Sequence, residues 1–345
     1  VTQRIQWLDE SRLAHLPGSV EPWLRELEGA TLLRVPGRDR SRARIVTTLL
    51  HGNEPSGVRA VHAWLRSGVA PATDAVFYIG SVEAALAAPA WSHRALPHAR
   101  DANRCFVPPL GGLEGERARE LIERLEAARP EALIDLHNNS GRSPAYGVGR
   151  VADAAHLGLT CLFADRYMLS DLRLGTLIEA TARFTTSIVV ECGRAHDPVA
   201  DAVALAGLER YLSVEDLSVR TEPRDYPIKF QAMEILHRPI RVRVHPDVRL
   251  AFGDAPVEGA NLTVRSDFDR HNFDPVEPGM VLGWLGPPGT WPFDARRGDG
   301  IEVSAELFTS ADGLVRIRRA MVPVMMTVSA AIAQSDCLFY AMQKR

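Results

Sequence analysis

The sequence predicts an α/β protein with a largely parallel sheet, followed by a smaller, mostly β domain. Three observations carry this reading. Over the first two thirds, short apolar runs alternate with segments of helical period. The runs are rich in β-branched residues and too short for helices, which suits buried strands. Beyond residue 218 the character changes to short alternating segments broken by Gly and Pro. The boundary is placed between an N-terminal domain, 1–220, and a C-terminal domain, 221–345.

The elements follow in order. "RIVTTLL" (44–50) is a buried strand, and after the turn "HGNEPSG" Val58, Val61, Trp64 and Leu65 recur at helical spacing. "AVFYIGS" (75–81) is a second strand. In "EGERARELIERLEAARP", Ala118, Leu121, Ile122 and Leu125 share one helix face and Pro130 stops the pattern. "ALIDLH" (132–137) and "SIVVECG" (187–193) are further strands, and a helix is expected over about 199–213. The change of character falls at "SVRTEPRDYPIK" (218–229). Beyond it "IRVRVHP", "NLTVRS", "GMVLGWL" and "GIEVSAELF" are strand-like pieces of the second domain.

Composition narrows the function. With 46% apolar and 24% charged residues the chain is an ordinary globular protein. A formal net charge of −3 gives no reason to expect nucleic acid or an anionic membrane as partner. Lys229 and Lys344 are the only lysines, and the many arginines are scattered rather than clustered. Cys105, Cys161, Cys192 and Cys337 form no CxxC pair, which argues against a cysteine zinc site and for a reducing compartment. The opening "VTQRIQWLDE" has no basic-then-apolar pattern, and "MVPVMMTVSAAIA" is too short to span a bilayer. A soluble, cytoplasmic protein is expected.

In open α/β sheets ligands bind beyond the carboxyl ends of the strands. Three apolar strands here end in ionisable groups: His51 with Glu54 just after it, His137, and Glu191. Two histidines and one carboxylate make a three-ligand set of the kind that holds catalytic zinc and leaves a fourth position for water. Glu191 is then a second carboxylate that can serve as a base.

The words "HGNE", "DANRCF", "DLHNNSG" and "VVECG", in this order, resemble the succinylglutamate desuccinylase/aspartoacylase family, part of the zinc carboxypeptidase clan. The resemblance covers roughly residues 40–215 and continues weakly through "HNFDPVEPGM", which is similar to the family's C-terminal β domain. It implies a three-layer α/β/α domain with a mixed, largely parallel sheet. It makes His51, Glu54 and His137 ligands of one Zn²⁺ per chain and Glu191 the general base and acid. Asn103 and Arg104 match the pair that holds a substrate carboxylate, a task suited to a planar guanidinium. An upstream arginine that polarises the scissile carbonyl is Arg94, with Arg100 as the alternative. Asp101 matches an aspartate accepting a hydrogen bond from His51, as metal-bound histidines require. The alternatives are a turn-capping role for Asp101, with Asp135 as the partner of His51.

The sequence departs from the family pattern in two places. Ala102 stands where the family's DLNR motif has leucine, and "FTSADGLVR" offers no match to the substrate-binding tyrosine of some members. A second carboxylate-binding arginine is Arg183, Arg173 or neither. The expected activity is zinc-dependent hydrolysis of a small, carboxylate-bearing N-acyl amino acid or related amide. The alternatives are a carboxypeptidase acting on short peptides and an inactive zinc-binding protein of the same fold. No nucleic-acid or membrane partner is expected, and self-association is left open.

Overall fold

The computed structural model describes residues 5–13, 15–217, 232–287 and 291–344. The described chain forms two compact units. The first draws on Val1–Asn138, Ala145–Met168 and Arg173–Met233; the second on Asn139–Pro144, Leu169–Leu172 and Glu234–Arg345. The change of character at 218–229 falls wholly within residues 218–231, outside the described residues.

The first unit is an α/β sandwich. Its strands are β1 (Gln6–Leu8), β2 (Thr31–Val35), β3 (Asp39–Thr48), β4 (Thr73–Ile79), β5 (Ala132–Asn139), β6 (Tyr146–Gly149), β7 (Arg166–Leu169) and β8 (Thr186–Arg194). Their order is β1-β2-β4-β3-β5-β8-β6-β7. β3 runs parallel to both β4 and β5, whereas β2 opposes β4 and β6 opposes β8. Helices α1 (Val20–Glu26), α2 (Ser56–Ser67), α3 (Val82–Leu86), α4 (Gly112–Ala127), α5 (Ala154–Cys161), α6 (Leu177–Thr181) and α7 (Pro198–Ser213) complete the unit.

Side-chain alternation assigns the helices to opposite faces. Ile45, Val76 and Leu133 lie side by side on β3, β4 and β5 and join Ala118, Leu121 and Leu125 of α4 in one core. The opposite face carries Thr48 and its partner Leu136. There α2 lies so close that a Cβ on Gly57 would sit 2.2 Å from Thr48 Oγ1 and 2.7 Å from Leu136 Cβ. Glycine is the residue that admits this approach. α7 packs beside α2. The expected helix faces hold: Val58, Val61, Trp64 and Leu65 are buried, as are Ala118, Leu121 and Leu125.

The second unit is mostly β. It contains β9 (Glu234–Val244), β10 (Leu250–Gly253), β11 (Leu262–Arg265), β12 (Val281–Leu285), β13 (Phe293–Arg296), β14 (Phe308–Ala311), β15 (Leu314–Ile317), β16 (Val322–Val324) and β17 (Phe339–Lys344). β10-β11-β12-β15-β14 form one sheet; β9 pairs with β13 and β17, and β17 with β16, all antiparallel. Phe293 stacks on Phe308 at 4.5 Å between ring centres, within a core that includes Val242, Leu282 and Phe339.

One expectation fails. "GIEVSAELF" is not a strand: it contains the short helix α8 (Ser304–Leu307), beside α9 (Ala330–Ser335) as the unit's other α-helix among the described residues. Glu302 Oε1 accepts from the Ser304 amide at 2.8 Å, and Ser304 Oγ accepts from Trp291 Nε1 at 3.0 Å. These local bonds win over an alternating pattern too short to enforce a ladder. Among the described residues no helix is long and apolar enough to cross a membrane.

Candidate metal centre

β3 and β5 deliver His51 and His137 to the same edge. Thr48 pairs with Leu136, so His137 lies one step beyond the end of that ladder and His51 three residues past β3. The turn between His51 and Glu54 is tight. A Cβ on Gly52 would meet the Ala85 amide nitrogen and Ala84 carbonyl carbon at 2.6 and 2.7 Å, so glycine is demanded here. The Gly52 amide donates to the Arg94 carbonyl at 3.0 Å, which ties the Arg94 loop to the turn.

Glu54 sits between the two rings. His51 Nδ1 is 2.8 Å from its Oε1, and His137 Nδ1 is 2.7 Å from its Oε2. One ligand atom of each residue lies within 4.8 Å of the others, and all three residues are buried. The far nitrogens are also held. His51 Nε2–H donates to Asp101 Oδ1 at 3.0 Å, and His137 Nε2–H to Asp135 Oδ2 at 2.9 Å. Asp135 Oδ1 in turn accepts from Thr47 Oγ1 at 2.6 Å. Each ring thus has its outer proton fixed by a carboxylate and its Nδ1 turned inward, an arrangement that orients histidine ligands toward a metal ion. The cluster could hold one.

The carboxylates around the rings favour their protonated forms, and a cation at Nδ1 would take the place of that second proton. Burial pushes the pKa of His137 down, but the carboxylates of Asp135 and Glu54 outweigh it and hold the ring well above the ordinary histidine value. His51 is raised too: burial and Arg94 oppose protonation, and Glu54 with Asp101 overcome them. Glu54 is lowered, since the two histidines outweigh its burial. Three ionisable groups crowded inside the protein in this way are costly to bury unless something uses their charge.

Glu191 lies on β8, opposite Tyr146 of β6, and is 5% exposed. Burial first, and Glu54 after it, push its carboxyl up to about 7, against the pull of His137, His51 and Arg94. That value suits a group that both takes and gives a proton near neutrality.

The arginines separate. Arg94 Nε and Nη2 each lie 3.0 Å from Asp101 Oδ2, and its Nη1 is 3.6 Å from Glu54 Oε1. Arg100 instead donates from Nη1 to the Pro109 and Gly111 carbonyls. Arg183 forms an exposed pair with Glu126. Asp101 does two things at once: besides His51, its Oδ1 accepts from the Asn103 amide at 2.9 Å and caps the 3-10 turn Ala102–Arg104. The capping role and the histidine role coexist, and Asp135 serves His137 rather than His51. Asn103 is buried, its Oδ1 accepting from the Leu177 amide at 2.9 Å. Arg104 Nη1 donates to the Asn103 carbonyl at 2.9 Å.

Asn138 is the residue that the sequence did not single out. Its amide donates to Glu54 Oε2 at 3.2 Å, and its side chain bonds to Ser56 and Gly193. The signal was present in "DLHNN", a polar pair ending an apolar strand.

No family model matches the sequence, and no curated protein does. The fold, however, is that of solved succinylglutamate desuccinylase/aspartoacylase structures. A succinylglutamatedesuccinylase/aspartoacylase from Rhodobacter sphaeroides is 15% identical, with 90% of this chain and 87% of that one covered at a TM-score of 0.55. Succinylglutamate desuccinylase from Vibrio parahaemolyticus is 16% identical, with 91% and 86% covered at 0.58. Murine aminoacylase 3 is 20% identical, with 90% and 97% covered at 0.55.

Proposed function

We propose that this chain is a zinc-dependent amide hydrolase of the succinylglutamate desuccinylase/aspartoacylase family, acting on a small N-acyl amino acid or a related amide that bears a carboxylate. The observation that carries the reading is the set His51, Glu54 and His137, with both outer ring nitrogens bonded to aspartates and Glu191 buried in the same unit. Two imidazoles and a carboxylate suit zinc, and three protein ligands leave a position open. Bound there, the ion supplies Lewis acidity and lowers the pKa of water at the open position.

The chain's own residues do the rest. Glu191 takes a proton from the attacking water on a carboxylate oxygen and later delivers it to the leaving amine. The Arg94 guanidinium, held by Asp101, points an Nη toward Glu54 and meets negative charge developing on the scissile carbonyl oxygen. Arg104 takes the substrate carboxylate and thereby orients the amide. Asn103 fixes the turn that carries Arg104. The test is a panel of N-acyl amino acids assayed beside short peptides, with chelated and zinc-reloaded protein. Hydrolysis of the acyl amino acids that is lost on chelation and regained with zinc supports the reading. Turnover of peptides alone, or turnover indifferent to chelation, overturns it.

A further inference from the structure

Asn138 joins three segments that carry the centre. Its Oδ1 accepts from the Ser56 amide at 3.0 Å, at the start of α2 and two residues after Glu54. Its Nδ2 donates to Ser56 Oγ at 2.9 Å and to the Gly193 carbonyl at 3.2 Å, two residues after Glu191. Its own amide donates to Glu54 Oε2, and it directly follows His137.

The orientation of the side chain is fixed by its partners. The Ser56 amide can only donate and the Gly193 carbonyl can only accept, so oxygen and nitrogen cannot be exchanged. Ser56 Oγ donates to Asp201 Oδ1 at 2.6 Å, which leaves its lone pairs for Asn138. Asn138 is 5% exposed, and losing one member of such a buried network leaves the others unsatisfied.

We propose that Asn138 is a positioning residue: it sets Glu54 and the Glu191 strand in register with His137, and so fixes the geometry of the metal site. This rests on the metal reading above. It adds a role outside the residues that touch the ion or the substrate.

Asn138→Asp is the incisive variant. It is isosteric but has no Nδ2 protons, and it adds a negative charge beside the ligands. Charge alone tightens cation binding, so a loss of affinity reports geometry. The full chain is stripped of metal and titrated with Co²⁺, reading affinity and the visible absorption of the bound ion. Asn138→Asp is expected to bind Co²⁺ ~10–100-fold more weakly, with an altered absorption band. Ser56→Ala, which removes one acceptor and keeps the Gly193 bond, is expected to weaken binding by a smaller factor. Tyr167→Phe loses a partly buried hydrogen bond to the Val151 carbonyl elsewhere in the fold and is expected to bind like wild type, which separates positioning from general destabilisation. Wild-type affinity and absorption in Asn138→Asp overturn the inference. If that variant does not fold, Ser56→Ala decides in the same terms. Wild-type protein that binds no Co²⁺ overturns the metal reading itself, and the inference with it.

Discussion

Asp135 and His137, two residues apart on β5, face each other at 2.9 Å between Oδ2 and Nε2, and Asp135 is wholly buried. A buried carboxylate in this position fixes which ring nitrogen carries the proton. It leaves Nδ1 turned toward Glu54, where its lone pair can serve a cation. His51 repeats the arrangement with Asp101 from a different segment of the chain.

Asp135→Asn should therefore weaken zinc affinity ~10–100-fold, the usual effect of losing such a partner. Asp101→Asn should do the same, with the Arg94 contact weakened as well. Competition with a chelator of known affinity measures both. Unchanged affinity in the two variants would mean that the aspartates only support the fold.

Arg104→Lys should lower kcat/KM for substrates bearing a carboxylate while leaving zinc content unchanged. Lysine keeps the charge but cannot supply two parallel hydrogen bonds. Steady-state rates on an N-acyl amino acid and on its uncharged ester separate the cases. Equal rates for wild type and variant on the acid would remove Arg104 from substrate binding.

Much of this centre was legible because strand-end residues share one sheet edge in a parallel α/β sheet. His51, Glu54 and His137 could be brought together on topology alone. Spacing could not tell which of Arg94 and Arg100 lies beside Glu54, because that depends on a backbone bond from Gly52 to Arg94 across the fold. Nor could it show that Arg183 is engaged by Glu126. Asn138 was hidden for another reason: an asparagine after a strand is ordinarily a turn residue, and its network needs Ser56 and Gly193 in place. The helix inside "GIEVSAELF" depends on Trp291 and Glu302, a local competition that a hydropathy pattern does not record.

His62 sets a pH dependence away from the centre. Its Nε2–H donates to the Pro17 carbonyl at 2.9 Å, and burial lowers its pKa below the ordinary 6.5. A lowered histidine value means that the unfolded chain takes up the proton first as pH falls. Its contribution is complete above 6.5 and is lost as pH drops from there toward the folded value. His62→Gln should therefore lose less Tm than wild type between about pH 7.5 and pH 5.5, measured in excess chelator. Equal losses would show that the ring does not titrate with unfolding.

Glu191→Gln should separate chemistry from structure. Glutamine keeps the size but cannot accept a proton, so turnover should fall by ~10²–10⁴-fold with zinc content unchanged. The carboxyl is raised to about 7 by burial, so the folded state holds its proton more tightly than the unfolded one. Its effect is a stability loss that grows as pH rises from 4.5 to about 7. In excess chelator the variant should thus melt no lower than wild type above neutrality. A lower Tm with activity kept would mark Glu191 as a structural ion-pair member.

The central claim is that His51, Glu54 and His137 hold one catalytic ion. Metal analysis of the purified protein beside His51→Ala and His137→Ala tests it most directly. The expected result is about one zinc per wild-type chain, three protein ligands sufficing for a catalytic site, and almost none in either variant. Full zinc occupancy in both alanine variants would contradict the claim.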